Sequence, residues 1–223
     1  MQCLLGIAMK WLRAMTFELG ALLGFIVLFF IPQKKKMEGQ GQPILLVHGY
    51  LFNSCIWYFQ KKWLQKLLQR PIYTIDLGNP FLSIEEYVQK VKQSIEKIGT
   101  DLVLIGHSMG GLINILAANE HNLVRDVITI ATPLEGTPIA YFGWGKNAQE
   151  MRPQSVLIQK VQNILETNSK IRVFHIAAQC DEIVLPGISA KGKKHPHYVI
   201  EDLGHLGVLY SKRVARKCSQ FLR

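Results

Sequence analysis

The stretch Leu102-Val103-Leu104-Ile105-Gly106-His107-Ser108-Met109-Gly110-Gly111 decides how this chain is read. Leu102 to Ile105 is a short, wholly apolar run, the mark of a strand buried on both faces. Leu112 to Ala118, just beyond, reads as part of a helix. Between them stands Gly-x-Ser-x-Gly, a sharp strand-to-helix turn that lifts a serine hydroxyl above the end of the strand. Side chains two residues before and after that serine would strike neighbouring backbone, and glycine at 106 and 110 removes them. Ser108 is thus the candidate nucleophile. It stands at a helix N-terminus, where the dipole favours a developing oxyanion.

Outward from this turn, short apolar runs alternate with amphipathic stretches. Strands are predicted at Ile44–Val47, Ile72–Ile75, Leu102–Ile105, Val127–Ile130, Val173–Ala177 and Tyr198–Ile200. Helices are predicted at Cys55–Gln69, from Ser83 onward, at Gln154–Glu166 and at Leu209–Leu222. Ser83 with Glu86 three residues later forms a capping box. Apolar strands each followed by a helix imply an α/β domain: a small, six-stranded, mostly parallel sheet covered on both faces. Asp76-Leu77-Gly78-Asn79-Pro80 is a dense turn signal.

The first 38 residues have a different character, and the domain is expected to cover 39–223. Ala14 to Ile31 is apolar apart from Thr16 and Glu18, and Leu19–Ile31 carries no charge over 13 residues. A spanning helix needs roughly 20 apolar residues. The segment reads as an uncleaved membrane anchor. Its alternatives are a signal peptide, which would leave the domain secreted, and a helix packed on the domain or lying in an interface. Gly20 and Gly24 form a GxxxG, a weak dimerisation signal, and oligomeric state is left open. Orientation turns on a single basic residue, two before the run against three after it.

The net charge is +10, and 48% of residues are hydrophobic, which excludes a disordered chain. The positive charge fits an anionic lipid surface or plain solubility, and no recognised nucleic-acid motif accompanies it. Cys3, Cys55, Cys180 and Cys218 are scattered, so neither a disulfide framework nor a zinc site is expected.

Gly106-His107-Ser108-Met109-Gly110-Gly111 resembles the nucleophile turn of α/β-hydrolase lipases and esterases. Leu45-Leu46-Val47-His48-Gly49-Tyr50 resembles the same family's oxyanion loop. Ala131-Thr132-Pro133-Leu134-Glu135-Gly136-Thr137 is similar to a segment of bacterial lipases and inositol-deacylase-like enzymes, and Met151-Arg152-Pro153-Gln154-Ser155 to a lipase helix start. The resemblance covers Pro43 to the C-terminus. It implies a Ser-Asp-His order, with Asp181 in Asp-x-x-Val orienting a base, His205, in Leu203-Gly204-His205. Glu182 and Asp202 are the lesser acid candidates. Backbone N–H groups of Tyr50 and Met109 would form the oxyanion hole. His48 would support the oxyanion loop, and His107 would point away from the site. Neither a cofactor nor a metal is implied.

The expected activity is hydrolysis of lipid or other acyl esters, with the membrane met through the N-terminal segment. An acyltransferase, an acyl-protein thioesterase or a non-catalytic scaffold on the same fold are the alternatives. Residues 136–148, with Tyr141, Phe142 and Trp144, are the lid candidate, and Phe52, Trp57, Phe81 and Leu134 the acyl-pocket candidates.

Overall fold

In the computed structural model, residues 2–191 and 194–223 are described, without the side chains of residues 2–5, 7, 8 and 188. Cys3 and Met1, and Gly192 and Lys193 of the basic loop 191–197, therefore lie outside what can be said of side chains or structure.

The strands are β1 (Lys36–Met37), β2 (Ile44–Val47), β3 (Ile72–Ile75), β4 (Leu102–His107), β5 (Val124–Ile130), β6 (Arg172–Ala178) and β7 (His197–Ile200). The helices are α1 (Gln2–Phe29), α2 (Tyr58–Leu68), α3 (Ile84–Ile98), α4 (Met109–Glu120), α5 (Lys146–Glu150), α6 (Val156–Thr167) and α7 (Lys212–Phe221). The sheet order is β1-β3-β2-β4-β5-β6-β7. All neighbours are parallel except β1, which runs antiparallel to β3 with Lys36 opposite Tyr73. The six expected strands are all present. The seventh, β1, lies within the first 38 residues and is too short and polar to show an apolar pattern.

Alternation along the strands sorts the core into two layers. Leu45, Val47, Leu104, Val127 and Val173 face α3, α4 and α6. Ile44, Leu46, Val103, Ile105, Ile128 and Ile176 face α2 and α7. Fully burying each such side chain contributes about 1.5–3 kcal/mol. Helix α3 opens on the expected capping box: Ser83 Oγ accepts from the Glu86 N–H, and the Glu86 carboxylate accepts from the Ser83 N–H at 2.9 Å. The predicted helix at Cys55–Gln69 is divided, a 3₁₀ turn over Ser54–Trp57 leading into α2. The last predicted helix likewise splits into a 3₁₀ turn (Gly207–Tyr210) and α7.

Helix α1 is long and apolar enough over Met9–Phe29 to cross a membrane by length and composition. One face of it rests on the domain. Ala14, Glu18, Ala21 and Leu28 are buried, and the Phe25 ring meets Phe52 edge-to-face at 4.9 Å. Gly24 lets Tyr210 of the same chain approach: a Cβ there would stand 3.1 Å from its hydroxyl. The opposite face, with Leu12, Leu23 and Val27, is exposed.

Candidate active site

The turn between β4 and α4 forces Ser108 to φ 55°, ψ −127°, a strained conformation that side chains rarely adopt. Its N–H is fixed by the Ile130 carbonyl at 2.8 Å. Glycine is required around it by close approach. A Cβ on Gly106 would lie 2.4 Å from the Gly110 backbone, one on Gly110 would lie 2.3 Å from the Val47 carbonyl oxygen, and one on Gly111 would lie 2.0 Å from Thr132 Oγ1.

The other two predicted residues arrive on the loops after β6 and β7. His205 Nδ1–H donates to Asp181, with 3.0 Å to each carboxylate oxygen. Asp181 Oδ1 is itself held by the N–H groups of Ile183 (2.9 Å) and Val184 (2.7 Å). This fixes the tautomer, leaving His205 Nε2 as the basic nitrogen. Burial lowers the His205 pKa, but the Asp181 charge outweighs it and the net direction is upward. Glu182 does not reach the imidazole; it accepts from the His205 backbone N–H at 3.2 Å. Asp202 is exposed and paired with Arg213 at 2.7 Å. Ser108 and His205 border one cavity of about 580 Å³. Among the described residues no hydrogen bond joins the Ser108 hydroxyl to His205; such contacts commonly tighten only when substrate is bound.

The His48-Gly49-Tyr50 loop passes directly against the serine, since a Cβ on Gly49 would lie 2.7 Å from Ser108 Cβ. Buried His48 braces that loop: its Nδ1–H donates to the Gly49 carbonyl (2.9 Å), and its Nε2 accepts from the Leu77 N–H (3.0 Å). Burial pushes the His48 pKa down, so the ring stays neutral. Tyr50 borders the cavity, and its hydroxyl bonds both backbone groups of Trp144, at 2.8 and 3.0 Å. The Met109 side chain is buried in the core, so only its N–H, first of α4, is available for the site.

The proposed acyl-pocket set is reduced by the structure. Phe52 borders the cavity. Trp57 and Leu134 are sealed in the core, and Phe81 is exposed and does not line the cavity. Ile139, Phe142 and Trp144 of the lid candidate and Met15, Leu19 and Leu22 of α1 add to the apolar wall. Phe142 is 81% and Trp144 74% exposed, so the rim is apolar and open to solvent.

Two supports of His205 escape the sequence reading. His107 Nε2–H donates to the His205 carbonyl at 2.9 Å, and burial drives its pKa well below the ordinary value. The His107 ring lies against that of His205, with centroids 4.7 Å apart. The second is Glu18 of α1, only 7% exposed, which accepts from the N–H groups of Leu206 (2.8 Å) and Gly207 (2.7 Å). Its signal was there: a lone carboxylate inside an apolar run is expensive and marks a functional candidate.

Comparison with known proteins agrees with this geometry. A family described as "Alpha/beta hydrolase family" matches residues 44–166. A pimeloyl-[acyl-carrier protein] methyl ester esterase of Aliivibrio fischeri is 31% identical over 101 residues, which span 43% of this chain and 38% of the relative's own length. Among solved structures, a mature Bacillus licheniformis lipase superposes with a TM-score of 0.64 at 16% identity, covering 84% of this chain and 97% of that one. A monoacylglycerol lipase of Paleococcus ferrophilus gives 0.65 at 16% identity, covering 86% and 98%. A bromoperoxidase of Bacillus anthracis gives 0.67 at 13% identity, covering 84% and 94%, so this fold hosts more than one chemistry. The turn at Ser108, the sheet order and the match across more than half of its length together make this chain a member of the alpha/beta hydrolase family.

Proposed function

We propose that the protein is a serine hydrolase of carboxylic esters with apolar acyl chains, acting at a lipid surface. One observation carries the reading: a strained serine and a carboxylate-held histidine border a single cavity whose wall is almost wholly apolar. Ser108 Oγ attacks the ester carbonyl while its proton passes to His205 Nε2, and Asp181 stabilises the resulting imidazolium. The N–H groups of Tyr50 and Met109 receive the oxyanion. The alcohol leaves with the proton from His205. Water then attacks the acyl-serine with His205 as base, releasing the acid and restoring Ser108.

The esterase relative and the lipase neighbours support this choice of chemistry within the family. The lipid surface is supported by the exposed rim at Phe142 and Trp144 and by the bare outer face of α1. Contiguous apolar surface of this kind is unusual on a soluble monomer. Lys10, Lys35 and Lys36 are paired with Glu201, Asp76 and Glu38, so the positive charge near that face that suits anionic headgroups and a helix lying in the plane of the membrane falls to Arg13 and Lys34.

The test is a panel of esters of graded chain length, assayed with and without anionic vesicles and with competing alcohols and thioesters present. Hydrolysis should favour longer chains, rise with vesicles and fall at least about a thousandfold in Ser108→Ala. Full activity in that variant would overturn the reading. Preferred transfer to the alcohol, or preference for the thioester, would replace it with an acyltransferase or a thioesterase.

A further inference from the structure

We propose that Glu18 is a positioning residue for His205, so that α1 is a working part of the catalytic apparatus. The inference rests on the hydrolase reading above.

The peptide groups around His205 are held from three directions. His107 takes the His205 carbonyl, Glu182 takes the His205 N–H, and Glu18 takes the next two N–H groups with one oxygen each. The Glu18 contact acts as a carboxylate cap on the 3₁₀ turn Gly207–Tyr210, whose first N–H groups have no partner within the turn. Its grip comes from a segment nearly 190 residues away in sequence, as the separations of 188 and 189 show. Gly204 leaves room for the arrangement: a Cβ there would stand 2.5 Å from Glu182 Oε2 and 2.7 Å from Glu18 Oε1. Both carboxylates therefore converge on the residue just before the base.

Three acidic groups consequently surround one imidazole: Asp181 on Nδ1, and Glu182 and Glu18 on the backbone beside it. Tyr210, on the same 3₁₀ turn, also faces Glu18. Burial, and then the neighbouring Glu182 charge, push the Glu18 pKa up to about 7. The Glu18 charge in turn contributes to raising that of His205. Glu18 thus does two things from one place. It fixes the main chain that carries the imidazole, and it stabilises the imidazolium that catalysis forms.

Glu18→Gln keeps the shape and removes the charge, and with it one of the two acceptors. In that variant kcat for a soluble ester should fall about ten- to a hundredfold with KM within twofold, as misplacement of a catalytic group predicts. The acid limb of kcat/KM should move to lower pH, because an imidazole that loses a nearby negative charge ionises at lower pH. Leu19→Ala, which alters only the cavity wall, should change KM for long chains and leave that limb in place. On the unaltered chain the acid limb should carry two ionisations, and this readout does not depend on any variant folding. Wild-type kcat and an unmoved acid limb in Glu18→Gln, or a single-ionisation limb in the unaltered chain, would overturn the proposal. Loss of the hydrolase reading is distinguishable. In that case the unaltered chain neither hydrolyses esters in a Ser108-dependent way nor takes a fluorophosphonate label, whatever stands at position 18.

Discussion

At the scale of single residues, the nucleophile turn is set by close approach as much as by Ser108 itself. The space a side chain at 111 would need is filled by Thr132, so Gly111→Ala should cost about 1–3 kcal/mol by overpacking. Thr132→Ala removes Oγ1 and Cγ2 but leaves Cβ, which would stand 2.9 Å away. The double variant should therefore recover part of the loss, and denaturant melts of the two singles and the double would show this as non-additivity. Equal, additive losses would count against the contact. The candidates Ser108, Asp181 and His205, which the structure brings together, could be read in the sequence because each lies in a dense local pattern with a fixed order. His107 could not, because what defines it is a backbone group 98 residues away, and Glu18 stood out only as a lone carboxylate in an apolar run, since its partners 188 and 189 residues away leave no local record.

At the scale of elements, the segment 138–150 is tied down at Trp144 and at Asn147. Tyr50 holds Trp144, and Asn147 Nδ2 donates to the Pro80 carbonyl at 2.7 Å. Tyr50→Phe removes the first tie at an exposed position. It should lower stability by about 1 kcal/mol or less, while amide exchange at 141–145 quickens and KM for long-chain esters shifts. Unchanged exchange there would mean that the segment is held by packing instead. Helix α1 makes a separate prediction. Replacing Leu12, Leu23 and Val27 with glutamine should weaken binding to anionic vesicles several-fold and leave turnover of a soluble ester intact, since these three face away from the domain. The apolar strands were readable because burial on both faces leaves an unbroken run. Strand β1 was not, since two residues of edge strand show no period. Composition alone left α1 open among anchor, leader and packed helix, because hydropathy counts residues without recording which face is already occupied.

At the scale of the molecule, buried neutral histidines shape the response to acid. His175, buried on strand β6, has Thr129 Oγ1 2.7 Å from its Nδ1, and burial lowers its pKa from 6.5 to about 3. As pH falls below about 6.5 the unfolded chain takes up a proton that the folded site refuses. Stability therefore declines by up to about 1.4 kcal/mol per pH unit from this group. His48 and His107 act in the same direction. Glu18, with its pKa raised to about 7, acts in the opposite one: its folded form retains a proton that the unfolded chain releases above 4.5, a contribution lost as pH rises towards 7. His175→Gln should flatten the fall in urea-melt stability between pH 6.5 and 4.5, and an unchanged slope would contradict the assignment. The position of α1 has a last, practical consequence. A chain cut after Ile31 would keep Ser108, Asp181 and His205 and still lose Met15, Leu19, Leu22 and the carboxylate that secures the turn beyond the base. Helix α1 is one side of the vessel. Preparing this protein in soluble form calls for making the outer face of that helix polar, with the helix itself left in place.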